Sequence, residues 1–130
     1  MKETHAEFIE KARADYKKIG SIACPVFLGE KVYFNKYGFN HLIWKGKKMR
    51  PPIEQIRRLS LIQKAVEILR TGYNFESYRK MERNSDKNKS ISTAHFWSFK
   101  HTVKDEIITV IVRQTNKGSK HFFSVMTPDF

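Results

Sequence analysis

Glu106-Ile107-Ile108-Thr109-Val110-Ile111-Val112-Arg113 is a run of mostly β-branched residues bounded by charge at both ends. Such side chains are stiff at χ1 and favour the pleated backbone over the helix. The run is apolar on both of its faces, so it reads as a central strand covered on both sides or nearly so. Two further strand-like stretches flank it, Ala94 to Val103 before and Lys120 to Thr127 after. Turn chemistry at Lys104-Asp105 and at Asn116-Lys117-Gly118-Ser119 separates the three. Connections this short join antiparallel neighbours, so residues 94–127 form a strand meander.

Working outward, Glu82 to Thr93 is almost wholly polar and reads as an exposed connection, 82–93, between the meander and a mainly helical half, about 1–81. Within that half Thr4-His5-Ala6-Glu7 has capping-box spacing. Phe8, Ile9, Ala12, Tyr16 and Ile19 then recur at helical intervals until Gly20, which predicts an amphipathic helix over 4–19. Residues 21–36 suit two short strands around Gly29-Glu30, and Phe39 to Lys45 a short helix or turn. Pro51-Pro52 starts another helix, with Ile62, Ala65, Val66 and Leu69 as its apolar stripe and Gly72 at its end. The whole is a single α+β domain, 1–130, in which N-terminal helices pack on a C-terminal antiparallel sheet.

Lys and Arg number 25 against 13 Asp and Glu, a formal charge of +12 that favours an anionic partner. The single Cys24 rules out an internal disulfide framework and suits a reducing cytoplasm. No Cys or His pair stands at ligand spacing, so no metal and no cofactor is expected. The opening residues Met1 to Glu7 carry acidic groups and no apolar run, which predicts neither a signal peptide nor a membrane span. Gly-rich phosphate loops, a Gly-x-Ser-x-Gly elbow and paired catalytic carboxylates are absent from the sequence.

Three constellations point to chemistry on RNA. In the first, His41 is flanked by aromatic residues and followed by Lys45, Lys47, Lys48 and Arg50. Cleaving RNA without metal needs a base for the 2′-hydroxyl, an acid for the leaving oxygen and cations for the phosphorane, and imidazole suits proton transfer near neutrality. A partly buried structural histidine beside a solvated basic loop is the alternative. The second is the row Arg50, Arg57, Arg58, Lys64 and Arg70, which either holds phosphates or forms a solubilising helix face. In the third, simple alternation puts His121, Phe123 and Val125 on one face of their strand and Phe122, Ser124 and Met126 on the other. A short hairpin then brings Arg113 and Gln114 close to Lys120 and His121, a plausible acid and phosphate clamp. Ser124 offers a hydroxyl if its face is open, and of Phe96, Trp97 and Phe99 at least two belong to the core, any remainder being free to stack on unpaired bases.

Taken together, Val32-Tyr33-Phe34-Asn35-Lys36-Tyr37-Gly38-Phe39-Asn40-His41-Leu42, Arg57-Arg58-Leu59, His95-Phe96-Trp97-Ser98-Phe99, Ile108 to Gln114, and Lys120-His121-Phe122-Phe123-Ser124-Val125 resemble one family. It is the phage and mobile-element branch of the barnase, EndoU, colicin nuclease and RelE ribonuclease superfold, abbreviated BECR. The resemblance spans Val32 to Met126 and implies helices before an antiparallel sheet of about four strands. It also implies toxin-like, metal-independent cleavage of tRNA or mRNA to 2′,3′-cyclic phosphate ends, with room for an immunity or antitoxin partner. On matching positions it carries His41, Arg113, His121 and Ser124 as catalytic, with Arg57 and Arg58 held as RNA contacts; Lys45, Lys47, Lys48, Arg50 and Lys120 are read from the sequence itself as further cations for the RNA. The chain departs from barnase-type members in having no obvious acidic general base, which leaves the base open. A non-catalytic RNA- or DNA-binding module of mobile-element origin is the rival expectation.

Overall fold

The computed structural model describes residues 3–72, 74–85 and 90–128. Helix α1 (His5–Ile19) starts where the Thr4 hydroxyl accepts a hydrogen bond from the Glu7 amide at 3.1 Å, and it stops at Gly20, whose φ of +66° costs glycine nothing. Strands β1 (Ser21–Ala23) and β2 (Lys31–Tyr33) follow as an antiparallel pair around a single 3-10 turn, Pro25–Phe27. Helix α2 (Lys36–Ile43) is capped by Asn35, whose side-chain oxygen accepts from the amides of Tyr37 and Gly38. A tight ribbon of β3 (Trp44–Lys45) and β4 (Lys48–Met49) leads to α3 (Pro52–Ser60) and α4 (Ile62–Thr71).

The sequence reads as one helix after the double proline, but the chain breaks at Leu61, with φ −92° and ψ −2°. The Ser60 hydroxyl donates to the Ile56 carbonyl at 2.7 Å, a back-bond that bends helices, and the Leu61 amide tightens onto the Arg58 carbonyl. The bend lets α3 bury Gln55, Arg58 and Leu59 while α4 buries the expected Ala65, Val66 and Leu69 together with Ile62 and Ile68.

The remaining strands are β5 (Ser77–Ser85), β6 (Ser90–Val103), β7 (Glu106–Thr115) and β8 (Lys120–Met126). The sheet has six strands rather than four, in the order β1-β2-β8-β7-β6-β5, and only the β2–β8 pair is parallel. The fold is therefore α+β with a mostly antiparallel sheet. The stretch 82–93 is mostly strand: residues 82–85 and 90–93 extend β5 and β6, with Glu82 opposite Thr93. Residues 86–89 of that expected connection lie outside the described residues. A hairpin arm whose neighbouring side chains Glu82, Arg83, Ile91 and Ser92 are all exposed has no buried face, so it carries no period-2 hydrophobic signal.

Strand β7 is central, covered fully on one side and partly on the other, where Thr109, Ile111 and Arg113 are half-buried. Ile108, Val110 and Val112 are fully buried, whereas Ile107 on the opposite face is 44% exposed. The buried side forms one core with Phe99, Phe122, Val125, Leu42, Ala65 and Leu69. Simple alternation also fails along β8. Ile111 faces Ser124 and Val112 faces Phe122, so Phe123 is an extra residue in a β-bulge. Phe122 and Val125 thus both reach the core, and Phe123 is left free of a cross-strand partner.

Helix α2 lies against β8 at Gly38. A Cβ there would collide with the Phe122 carbonyl oxygen and come within 2.7 Å of the Tyr16 hydroxyl. Tyr16 is itself fixed, donating to the Asn35 carbonyl at 2.7 Å, and burial holds its pKa far above the usual phenol value. Gly38→Ala should therefore cost about 2–3 kcal/mol of stability through overpacking, read as a lower urea midpoint. An unchanged midpoint would show that α2 can retreat from the sheet. Among the described residues no helix is long and apolar enough to cross a membrane.

Candidate active site

The bulge residue Phe123 is the centre around which the site assembles. His41, in the last turn of α2, stacks on its ring with centroids 4.2 Å apart. The Arg113 guanidinium, from the open face of β7, lies 4.5 Å from the same ring centroid. Arg113 and His121 are cross-strand partners, and Arg113 Nε donates to His121 Nε2 at 3.0 Å. Tyr37, one turn before His41, places its ring 6.4 Å from that of His121. A cavity of about 360 Å³ opens here, lined by Asn35, Tyr37, Arg113, Thr115, Ser119 and His121 among others. His41 does not line it and joins the group through Phe123.

Behind His41 lies a buried ionic cluster. Arg50 Nε donates to the His41 carbonyl at 2.9 Å, and Arg50 Nη1 meets Glu54 Oε1 at 3.0 Å. Arg58 reaches the same carboxylate oxygen at 3.1 Å and donates to Ser124 Oγ at 3.0 Å. Arg50 and Arg58 are only 6% and 5% exposed.

This surrounding sets the protonation of both imidazoles. The pKa of His41 is pushed down to about 4, first by burial and then by the charges of Arg50, Arg58 and Arg113. His121 is lowered by burial and by Arg113, partly offset by a hydrogen bond with the Ser119 backbone. That bond and the Arg113 bond together place the His121 proton on Nδ1 and leave Nε2 as acceptor. Near pH 7 both rings are neutral, each beside a cation.

Of the residues expected at the site, His41, Arg113 and His121 come together. Ser124 does not join them as a donor to substrate, because it is fully buried and its hydroxyl accepts from Arg58. Arg50 and Arg58, expected as RNA contacts, instead share Glu54 inside the protein and present almost no surface. Lys120 alternates to the face opposite His121, where it pairs with Glu30 at 2.8 Å and lies over Phe27 and Trp97. Lys45, Lys47 and Lys48 stand exposed on the β3–β4 ribbon, and Arg57 is exposed on α3. Phe99 is core and Trp97 packs on it, leaving Phe96 on the open face against Phe123.

Glu54, Tyr37 and Phe123 were not singled out from the sequence. Glu54 and Arg58 stand at i, i+4 on α3 with Arg50 four residues before Glu54, an alternation of charge that could have revealed Glu54. Among the described residues no three His, Cys, Asp or Glu side chains cluster so as to hold a metal ion. Comparison with known proteins finds no matching family model, no similar curated protein and no similar solved structure.

Proposed function

We propose that the chain is a metal-independent, toxin-like endoribonuclease built on the BECR plan, acting on tRNA or mRNA. The observation that carries this reading is a neutral imidazole, His41, stacked on Phe123 and facing the charges of Arg50, Arg58 and Arg113, with the His121–Arg113 pair in the same centre. In the reaction His41 takes the proton of the RNA 2′-hydroxyl as that oxygen bonds to phosphorus. The bond from phosphorus to the 5′-oxygen breaks, and His121 gives that oxygen its proton. Arg113 turns from His121 to the phosphorane oxygens, where preorganised positive charge counts most. The bound phosphate offsets the arginine charge and raises both imidazole pKa values towards their ordinary range, which is how His121 acquires the proton it donates. A cytoplasmic setting and a neutralising immunity or antitoxin protein go with this reading.

The test is incubation with RNA in EDTA, followed by end-group analysis. The expected fragments carry 2′,3′-cyclic phosphate and 5′-hydroxyl ends. RNA that stays intact yet is retained at low salt would instead support a non-catalytic RNA- or DNA-binding module, the reading favoured by Lys45, Lys47 and Lys48 standing exposed on the β3–β4 ribbon. Either reading predicts binding that weakens steeply with salt. If those three lysines each meet a phosphate, changing them all to Ala should make the log–log salt slope shallower by about 2 for a single strand. An unchanged slope would place the phosphate contacts elsewhere.

A further inference from the structure

The open face of the sheet carries a second depression beside the proposed catalytic centre. Cross-strand register aligns Arg79, Phe96, Arg113 and His121 in one row across β5, β6, β7 and β8. The next row towards the hairpin arm is Met81, Ala94 and Thr115, and beyond it Arg83 faces Ser92. Rows on one face of a strand lie roughly 6.8 Å apart, two residues of rise, so the small side chains of Ala94 and Ser92 leave a slot beside the Phe96 ring. That slot is a cavity of about 300 Å³, and it shares Arg113 and Thr115 with the cavity of the His121 site. The two are therefore adjoining compartments separated by the Arg113 side.

The slot's chemistry is that of a nucleobase site. Phe96 is half-buried, touches Phe123 edge to face, and already carries the Arg79 guanidinium 5.3 Å from its centroid. Aromatic rings and guanidinium planes are the surfaces on which unpaired bases stack. Met81 adds an apolar wall. Among the described residues no carboxylate pairs with Arg79, Arg83 or Arg113, so the charge around the slot is available to backbone phosphates. Glu82, the carboxylate among the described residues that line the slot, sits one residue out of phase with Met81 and Arg83 and pairs with Lys80 at 3.2 Å.

Resting on the ribonuclease reading, we infer that this slot receives an unpaired base next to the cleaved phosphate, stacked on Phe96 above Ala94, so that the substrate is single-stranded RNA crossing the open sheet face. A duplex keeps its bases stacked inside and cannot place one there.

The test uses full-length protein carrying His41→Ala, to suppress cleavage, with one labelled RNA oligonucleotide offered as a single strand or annealed to its complement. The single strand should bind at least about tenfold more tightly. Ala94→Phe, which fills the slot from a half-buried position, should weaken single-strand binding about tenfold and leave duplex binding within about twofold. Phe96→Leu keeps apolar bulk without a π face and should weaken single-strand binding about fivefold. Equal affinity for the two RNA forms, or full single-strand affinity in both variants, would overturn the slot while leaving the ribonuclease reading intact. Failure of this variant to bind either form, together with failure of the wild-type protein to cut either, would overturn that reading and the slot with it.

Discussion

Glu54→Ala should lower the unfolding free energy by about 3 kcal/mol, the largest stability effect expected from any single charged residue in this protein. The Glu54 carboxylate is shared by Arg50 and Arg58, whose side chains are almost entirely removed from water. Taking charge out of water is costly, and it is tolerated only while an opposite charge and hydrogen bonds compensate. Without Glu54 the two guanidinium groups keep their bonds to the His41 carbonyl and to Ser124 but face each other as like charges. Glu54→Gln should fall between, since it retains an acceptor and loses the charge. Equilibrium urea unfolding measures both, and a loss below about 1 kcal/mol for the Ala variant would mean that the cluster is well hydrated.

The second large effect is on rate. His41→Ala should lower turnover on RNA by about 100-fold or more, the typical contribution of a positioned general base. Turnover equal to wild type would eliminate the mechanism. The pH dependence follows from the environment of the ring. In the free protein His41 is deprotonated above a pKa of about 4, so the acid limb of kcat/KM should lie near pH 4, while His121, which must carry the proton it donates and whose pKa burial and Arg113 lower, sets an alkaline limb below the ordinary imidazole value. An acid limb centred near 6.5 would show that neither burial nor the arginines act on this ring. Stability has the same sign. Because the folded-state pKa lies below the ordinary value of 6.5, the unfolded chain takes up the proton first, and the protein loses stability as pH falls from about 6.5 towards 4.

How far the residues announce the fold depends on whether each segment has one buried face. α1, with its Thr4 cap and apolar positions up to Ile19, and β7, with its β-branched run, follow local rules and are legible at once. The pairing of Arg113 with His121 also follows from hairpin length alone. Three features escape. The arm of β5 and β6 exposes Glu82, Arg83, Ile91 and Ser92, so its polarity looks like a loop. The bulge at Phe123 depends on how β8 matches β7, which period-2 counting within β8 cannot register. The inward direction of Arg50 and Arg58 depends on Glu54 and Ser124, and a basic residue is by default read as a surface one. The histidines were visible as chemistry; their common neighbour, supplied by the bulge, was not.

The parallel pairing of β2 with β8, Val32 opposite Lys120, has a consequence for the order in which the candidate site assembles. Strands β5 to β8 are joined hairpin by hairpin and close through local contacts, whereas docking β2 and α2 onto β8 requires closing a loop that contains nearly all of the intervening chain. Folding is therefore expected to proceed sheet first, with the N-terminal elements arriving late. His41 belongs to the late group and Phe123 to the early one. A partly folded molecule would then carry Arg113 and His121 in place but no base above the ring. On the ribonuclease reading proposed above, such a chain would hold RNA before it could cut it, and a ligand that keeps α2 off β8 would block cleavage without touching the proposed RNA contacts.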